Sequence, residues 1–511
     1  MPTTTSNVRD MVDAGRRVGP HRPWPRASVT REAWRQATNL LAAGEWTLLG
    51  LWADGAQVHL AASGGSHDDV GVISLDCDGR TFPSIGQSHP PALRLERTIR
   101  DLWGLEPEGL ADRRPWLDHG TWNARERPLA ERGGPPANPE PYAFLPSSGE
   151  SLHQIPVGPV HAGIIEPGHF RFTANGEAVV RLEARLGYVH KGIERLMAGL
   201  PVDRASVLAG RVSGDSTVAY ALAFARAVEA ACAVDVPERA VWLRALMAEL
   251  ERIANHFGDI GAICNDAAFA MMHAQCGHLR EEVLRAADTC FGHRLMMDRI
   301  VPGGANRDLP AGATEVIGAL LRDVRRRFPE LIELYDNTAS LQDRTVGTGT
   351  LSPALARQYG CGGYVGRASA RSFDARRAPG YPPYDALRFE VPILEAGDVD
   401  ARVWLRIREV EQSLLVIEQI LEHLPPGAVA TQAIAPAAGA AREGMALVEG
   451  FRGDVLVWVR IGADGRVERC HLRDPSWFQW PLLEAVIEGN IVADFPLCNK
   501  SFNCSYSGHD L

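Results

Sequence analysis

Residues 236–258 read VPERAVWLRALMAELERIANHFG, and this stretch decides the kind of fold that the chain adopts. Its apolar residues recur every three or four positions, which places them on one face of a helix. That face carries Leu243, Leu246, Met247, Leu250, Ile253 and Phe257. Pro237 stands at the first helical turn and Gly258 follows the last apolar residue. The stretch therefore predicts a long amphipathic helix that ends near residue 258.

A second helix and a hairpin are predicted further along the chain. Residues 400–427, DARVWLRIREVEQSLLVIEQILEHLPPG, place apolar residues on one helical face from Val403 to Leu421, and Pro425 ends the pattern. Residues 454–472, DVLVWVRIGADGRVERCHL, alternate around Asp464-Gly465, which is typical of a β-hairpin. These patterns predict a large, mainly α-helical domain with small sheets at its edges.

The first part of the chain has a different pattern. Residues 1–40 carry several Pro and Arg without periodicity, so we expect an extended arm. Short apolar runs flank Asp54-Gly55 and Asp78-Gly79, which predicts hairpins, and residues 91–105, PALRLERTIRDLWGL, predict a helix. Beyond residue 119 the chain becomes rich in Pro, Gly and Glu, as linkers are. The predicted class is α+β, with an arm (1–40), a small α+β domain (41–120), a linker (121–152) and the helical domain (153–511).

Composition narrows the function classes. The 511 residues carry a net charge of -10, whereas nucleic-acid binding needs a basic surface, so we expect no nucleic-acid partner. No run of eighteen apolar residues is present, and the first residues lack the apolar core of a secretory signal. We therefore expect a peripheral, cytoplasmic protein. The nine cysteines form no C-x-x-C pair, so they are expected to be free thiols.

Residues 158–170, GPVHAGIIEPGHF, hold the first group of candidate functional residues. His161 and His169 lie among glycines and prolines, where an imidazole that bonds the backbone of the turn is the ordinary explanation. Glu166 lies between Ile165 and Pro167, and a carboxylate in apolar surroundings needs a partner. Proton handling is therefore a hypothesis for Glu166.

Two further groups lie far apart in the sequence. Residues 210–229, GRVSGDSTVAYALAFARAVE, place Ser213 and Ser216 at the predicted start of a helix, where capping alone would explain them. Residues 490–511, NIVADFPLCNKSFNCSYSGHDL, suggest a tail folded into the structure, with Cys498 and Cys504 as packed thiols.

The sequence resembles the large subunit of membrane-bound, energy-converting [NiFe]-hydrogenases, including that of formate hydrogenlyase, and the homologous quinone-site subunit of respiratory complex I. The matching stretches are IPVGPVHAGIIEPGHFRF (155–172), RLGYVHKGIERLM (185–197), ELERIANHFGDIGA (249–262), GHRLMMDRIVPGG (292–304), YDALRFEVP (384–392) and DFPLCNKSFN (494–503). Residues 96–117, ERTIRDLWGLEPEGLADRRPWL, are similar to the companion subunit of complex I. The fusion of both in one chain is similar to the formate hydrogenlyase arrangement.

The resemblance fails at the metal ligands. The hydrogenases hold nickel and iron with four thiolates, which are soft anionic donors. Ser213 and Ser216 occupy the two front positions, and an ungapped alignment puts Ser505 and Gly508 at the other two. Shifting that alignment by one residue would make Cys504 a ligand, and one thiolate still could not hold the centre. The resemblance therefore implies that no nickel–iron centre is bound.

The quinone site of complex I is not intact either. Its His and Tyr positions fall on Ile165 and Gly214 in an ungapped alignment, although His161 matches a neighbouring family histidine. A hydrogenase histidine after the front motif is replaced by Tyr220. Quinone remains a candidate ligand, with His161 and His509 as candidate contacts in the emptied cavity.

The resemblance implies a subunit of a membrane-bound redox complex that couples electron transfer to ion translocation. Its expected partners are an iron–sulfur small subunit, which would hold the cluster, a ferredoxin-like iron–sulfur subunit, and antiporter-like membrane subunits on the cytoplasmic face. Polar residues of the cavity would bind an acceptor or relay protons, namely Glu166, Asp215, Tyr220 and His169. A non-catalytic scaffold or coupling subunit is the alternative, and an active hydrogenase is disfavoured by the missing thiolates.

Overall fold

The computed structural model describes residues 7–120, 122, 142–162, 165–431 and 441–511. The first part of the chain contains α1 (Val8–Ala14), β1 (Arg16–Arg17), β2 (His21–Arg22), β3 (Arg26–Ser28), α2 (Arg31–Ala42), β4 (Thr47–Asp54), β5 (Gln57–Ser63), β6 (Val70–Asp76), β7 (Thr81–Pro83), α3 (Leu93–Trp103) and β8 (Glu106–Glu108). A sheet with the order β1-β3-β6-β5-β4 organises this part.

The larger part begins with a three-stranded antiparallel sheet and continues as helices. Its elements are β9 (Leu152–Val157), β10 (His169–Asn175), β11 (Ala178–Arg185), α4 (Ile193–Met197), α5 (Val202–Ala209), α6 (Thr217–Cys232), α7 (Glu238–Asp266), α8 (Ala270–Phe291), β12 (Ile300–Val301), β13 (Gly304–Ala305), α9 (Ala313–Asn337), α10 (Ala339–Thr345), α11 (Pro353–Gln358), α12 (Gly363–Arg367), α13 (Val399–His423), β14 (Arg442–Gly450), β15 (Gly453–Ile461), β16 (Val467–Arg473), α14 (Ser476–Val486), α15 (Phe495–Phe502) and α16 (Tyr506–Asp510). The predicted α+β class with a large helical domain is confirmed.

The expected extended arm is wrong for residues 8–42, because these residues form α1, α2 and three short strands. The strand β3 pairs in parallel with β6, from Arg26 opposite Val72 to Ser28 opposite Ser74. The strand β2 pairs in parallel with β14, with His21 opposite Glu443. Strands of two or three residues carry no detectable periodicity, and their partners lie far away in the sequence.

The two hairpins around Asp-Gly pairs at residues 54 and 464 are confirmed, since β4 pairs antiparallel with β5 and β15 with β16. The hairpin expected at Asp78-Gly79 is wrong. Residues 78–80 form a single 3-10 turn between β6 and β7, and β7 pairs in parallel with β8.

The long helix predicted from residues 236–258 is α7, and it continues to Asp266. Gly258 does not end it, because Gly258 and Gly261 are the positions where α8 approaches most closely. A Cβ added at Gly258 would lie 3.1 Å from Cδ of Arg280, and one at Gly261 would lie 2.9 Å from Cβ of Cys276. These glycines serve close helix packing instead of termination.

One hydrophobic core runs through both parts of the chain, from Val8 to Leu511. A smaller cluster lies between the five-stranded sheet and the β16-β15-β14-β2 sheet, where Trp52, Leu456 and Trp458 meet. The part before residue 120 is therefore packed against the larger part, and the predicted linker lies mostly outside the described residues. Among the helices that the structure describes, none combines the length and apolarity that crossing a bilayer needs.

Candidate functional site

Arg452 joins two segments that are distant in sequence. It lies in the turn between β14 and β15, and its guanidinium donates to both carboxylate oxygens of Asp215, at 2.8 and 2.6 Å. The same group donates to Oγ of Ser216 at 3.1 Å, and its Nε donates to the backbone carbonyl of Asn503 at 2.6 Å. The residues before α6 and those after α15 therefore meet at Arg452.

The two serines at the front positions are bonded to the same carboxylate. Oγ of Ser213 donates to Oδ1 of Asp215 at 2.6 Å, and Oγ of Ser216 donates to it at 3.4 Å. Burial alone would raise the pKa of Asp215, but the Arg452 guanidinium and the Ser213 hydroxyl hold it well below its ordinary value. Asp215 is thus an anion that is neutralised by Arg452.

Neither serine caps α6 with its side chain. That role falls to Glu251 of α7, which accepts hydrogen bonds from the amides of Val218 at 2.7 Å and Ala219 at 3.1 Å. Burial raises the pKa of Glu251 to about 8, against the opposing effect of the two amides. Asn255, one turn further along α7, donates to the carbonyl of Asp215 at 2.7 Å.

A second pair lies at the tail. The hydroxyl of Tyr220, which is fully buried, donates to Oδ2 of Asp474 at 2.6 Å, and the amide of Ser476 donates to Oδ1 at 2.8 Å. Burial and the neighbouring Asp474 raise the pKa of Tyr220 well above its ordinary value. A Cβ added at Gly508 would overlap the Asp474 carboxylate and lie 2.8 Å from Oγ of Ser505. Asp474 therefore occupies the space that a side chain at residue 508 would need.

Ser505 serves the backbone of the tail. Its hydroxyl accepts a hydrogen bond from the amide of Gly508 at 2.9 Å, which caps the N-terminus of α16. Its amide donates to Oγ of Ser476 at 2.8 Å. The front and tail positions lie in one region, since Tyr220 of α6 and Gly508 of α16 both contact Asp474.

The other predicted site residues lie around the tail or in the first turn. Oε2 of Glu166, which is half-buried, accepts a hydrogen bond from the amide of Ser507 at 3.0 Å. His161 is within 2.7 Å of the Gly168 carbonyl and His169 is within 3.3 Å of the Gly158 carbonyl. Both imidazoles therefore bond the backbone of their own turn, and their hydrogen bonds in the described structure do not reach Asp215 or Tyr220.

His509 is completely buried beside the tail. Its ring stacks on Trp477 with centroids 4.0 Å apart, Nδ1 lies 2.9 Å from Oδ1 of Asp510, and Nε2 accepts a hydrogen bond from Trp116 at 3.3 Å. Burial lowers the pKa of His509, so the ring is neutral near pH 7. Both ring nitrogens are bonded within the protein, which leaves none for a ligand.

Sequence reasoning assigned no role to four residues of this region: Glu251, Asn255, Arg452 and Asp474. The spacing of four between Glu251 and Asn255 in a helix would have placed them on one face. For Arg452, in a turn, and Asp474, next to a strand end, the local pattern contains no signal for a contact with α6.

The profile of the family described as "Respiratory-chain NADH dehydrogenase, 49 Kd subunit" matches residues 266–510. Formate hydrogenlyase subunit 5 of Escherichia coli (strain K12) is 31% identical over 447 residues, which are 86% of this chain and 78% of that protein. Hydrogenase-4 component G of the same organism is 31% identical over 446 residues, 85% of this chain and 77% of that protein.

A solved structure is similar as well. A chain in the structure of the membrane-bound sulfane sulfur reductase, an archaeal respiratory membrane complex, superposes with a TM-score of 0.67 at 25% identity, and the match covers 71% of this chain and 99% of that chain. The protein belongs to the family of the 49 kDa subunit of respiratory-chain NADH dehydrogenase, together with the hydrogenase subunits that resemble it. The resemblance inferred from the sequence is thereby confirmed.

Proposed function

We propose that this chain is a subunit of a membrane-bound, energy-converting redox complex and that it takes part in electron transfer coupled to ion translocation without a nickel–iron centre. Its relatives include subunits of formate hydrogenlyase and of hydrogenase-4, and the similar solved chain belongs to a respiratory membrane complex. In this proposal the chain is peripheral on the cytoplasmic face, beside antiporter-like and other membrane subunits.

The observation that carries the proposal is the pairing of Arg452 with Asp215 and of Tyr220 with Asp474 among the four expected ligand positions. A nickel–iron centre needs soft thiolates, and serine hydroxyls are hard, protonated donors. Ser213 and Ser216 are bonded to Asp215, Ser505 caps a helix, and a side chain at Gly508 would overlap Asp474. These residues do not fit the metal centre, and we route no chemistry through it.

In the proposed complex, electrons arrive through the iron–sulfur cluster of a small partner subunit, which a ferredoxin-like subunit supplies. Half-buried Glu166 is the candidate proton relay, because it lies at the tail and retains access to solvent. A quinone is the candidate acceptor. The relatives and the geometry support the type of complex, and the donor and the acceptor are proposals.

A second function has its own supporting observation. Asp215 accepts hydrogen bonds from Arg452, Ser213 and Ser216, and a carboxylate that is paired in this way has little capacity to exchange protons. A non-catalytic coupling subunit, which holds its partners and transmits motion, would need this rigidity and no redox ligand.

The complex purified from membranes, with all its subunits, tests the proposal. Metal analysis should find iron from the partner subunits and no stoichiometric nickel, and the complex should not take up hydrogen. Reduction of a quinone analogue in proteoliposomes, together with acidification or alkalinisation of the lumen, would support the redox function. Stoichiometric nickel with hydrogen uptake would refute it, and an assembled complex whose activity is insensitive to substitutions at Glu166 and Asp215 would favour the coupling role.

A further inference from the structure

A cavity lies at the junction of the N-terminal part with the helical part, and no role has been assigned to it. It encloses about 570 Å³ including its open mouth, and its wall is almost entirely apolar. The indole rings of Trp52, Trp103 and Trp477 lie in this wall, together with Ile99 of α3 and Ile193 of α4. This volume falls within the range of small-molecule sites, which are concave, mostly apolar and supplied with few polar groups.

Three buried polar atoms of the wall residues lack hydrogen-bond partners among the described residues: Nε1 of Trp52, Nε of Arg469 and Nε2 of His471. Trp52 is 2%, Arg469 4% and His471 8% exposed. Buried polar groups are nearly always hydrogen-bonded, so three unsatisfied atoms around one cavity indicate a missing partner. The neighbouring contacts, by comparison, are well formed.

The chemistry of those atoms defines the partner. Arg469 and His471 both bind Glu194, at 2.7 and 2.8 Å, so their remaining ring and guanidinium nitrogens are fixed in place. Burial lowers the pKa of His471, so the ring is neutral, Nδ1–H donates to Glu194 and Nε2 is an acceptor. Trp52 and Arg469 are donors. A hydroxyl group can accept from a donor and donate to Nε2 at the same time.

Flat surfaces favour an aromatic body. The His471 ring is stacked on Trp52, with centroids 5.0 Å apart and planes 14° from parallel, and the Arg469 guanidinium lies over Trp103 at 5.3 Å. We propose that this cavity binds a flat aromatic molecule that carries a hydroxyl group, with the rings held among Trp52, Trp103 and Trp477 and the hydroxyl bonded to Arg469 and His471.

This site is separate from the Arg452–Asp215 pair and does not depend on the proposed function. It borders the tail nevertheless, because Trp477 in its wall stacks on His509, which follows Gly508. Occupation of the cavity would therefore fix the side of the tail that faces away from Asp474.

Equilibrium dialysis of the full chain with 1-naphthol and with naphthalene tests the proposal. The two probes share a body and differ in one hydroxyl. We expect saturable, 1:1 binding of 1-naphthol, about tenfold tighter than that of naphthalene, which is roughly the contribution of one buried hydrogen bond. Equal affinities would overturn the assignment of a hydroxyl ligand, and the absence of saturable 1-naphthol binding would overturn the site.

Two variants locate the binding. Thr98→Trp fills the cavity from half-buried α3 and should abolish binding of both probes, whereas the near-isosteric Thr98→Val should retain it. His471→Phe keeps the stack on Trp52 but removes Nε2, so it should bind both probes with equal affinity. Circular dichroism and thermal unfolding establish that each variant is folded. Undiminished 1-naphthol binding by folded Thr98→Trp, or an undiminished preference for 1-naphthol in folded His471→Phe, would overturn the proposal.

Discussion

Arg452 and Asp215 are 237 residues apart in sequence, and their side chains form a two-fold hydrogen-bonded ion pair in which each carboxylate oxygen accepts from a different guanidinium nitrogen. The pair is asymmetric, since the Arg452 side chain is 6% exposed and that of Asp215 is 34% exposed. An unpaired guanidinium at this position would have much less access to water than an unpaired carboxylate. The two partners should therefore respond differently to substitution.

We predict that Asp215→Asn is more destabilising than Arg452→Gln. The first variant leaves a buried cation that cannot lose its proton, and we expect a loss of about 3 kcal/mol in the free energy of unfolding. The second leaves a carboxylate that is partly exposed and bonded to Ser213, and solvent screening reduces the loss to about 1–2 kcal/mol. Urea unfolding of both variants and of the double variant measures these losses. The opposite order would contradict the asymmetry.

The elements that the sequence predicts well are those whose pattern is local. The helix α13 and the β15–β16 hairpin follow from apolar periodicity and from Asp464-Gly465 alone. The end of α7 was misplaced because Gly258 packs against a neighbouring helix, and a glycine that allows close packing cannot be distinguished in sequence from one that ends a helix.

The candidate site was predicted only in part, for a related reason. The family resemblance placed Ser213 and Ser216 near the tail, and both are linked to it through Arg452 and Asn503. The charged partners that fill this region come from strand ends, and only tertiary contacts position them. The division into domains and the roles of the site residues stay predictions.

We predict that Glu251 makes stability depend on pH. Its pKa in the folded protein, about 8, is above its ordinary value near 4, so folding favours the protonated form. The stabilisation is complete below about pH 4 and is lost as the pH rises through about 8. The thermal midpoint of the wild-type protein relative to that of Glu251→Gln should therefore fall between pH 5 and pH 9. Glu238→Gln, at an exposed position at the start of α7, is the control, and an equally constant difference for both variants would contradict the prediction.

Gly508→Ala should be strongly destabilising, by about 2–3 kcal/mol, because the added methyl group would overlap the Asp474 carboxylate in a packed region. Gly214→Ala is the matched control, since a Cβ at Gly214 meets no atom within 4 Å. The cost of Gly508→Ala should be smaller in an Asp474→Ala background, as the two substitutions act on one contact. Thermal unfolding of the four variants measures this coupling, and additive effects would show that Asp474 does not limit the space at residue 508.

The last prediction concerns Glu166 and requires the assembled complex. Oε2 of Glu166 accepts the Ser507 amide at 3.0 Å, and the amide oxygen of glutamine can accept the same hydrogen bond. Glu166→Gln should therefore assemble normally, but it cannot exchange a proton at this position. We expect proton-coupled activity in membrane vesicles to be lost in Glu166→Gln and retained in Glu177→Gln, which alters an exposed carboxylate in the β10–β11 turn. Unchanged coupling in an assembled Glu166→Gln complex would exclude the relay. Failure to assemble would instead assign Glu166 to holding the tail, because the hydrogen bond to Ser507 would then be the contact that the complex depends on.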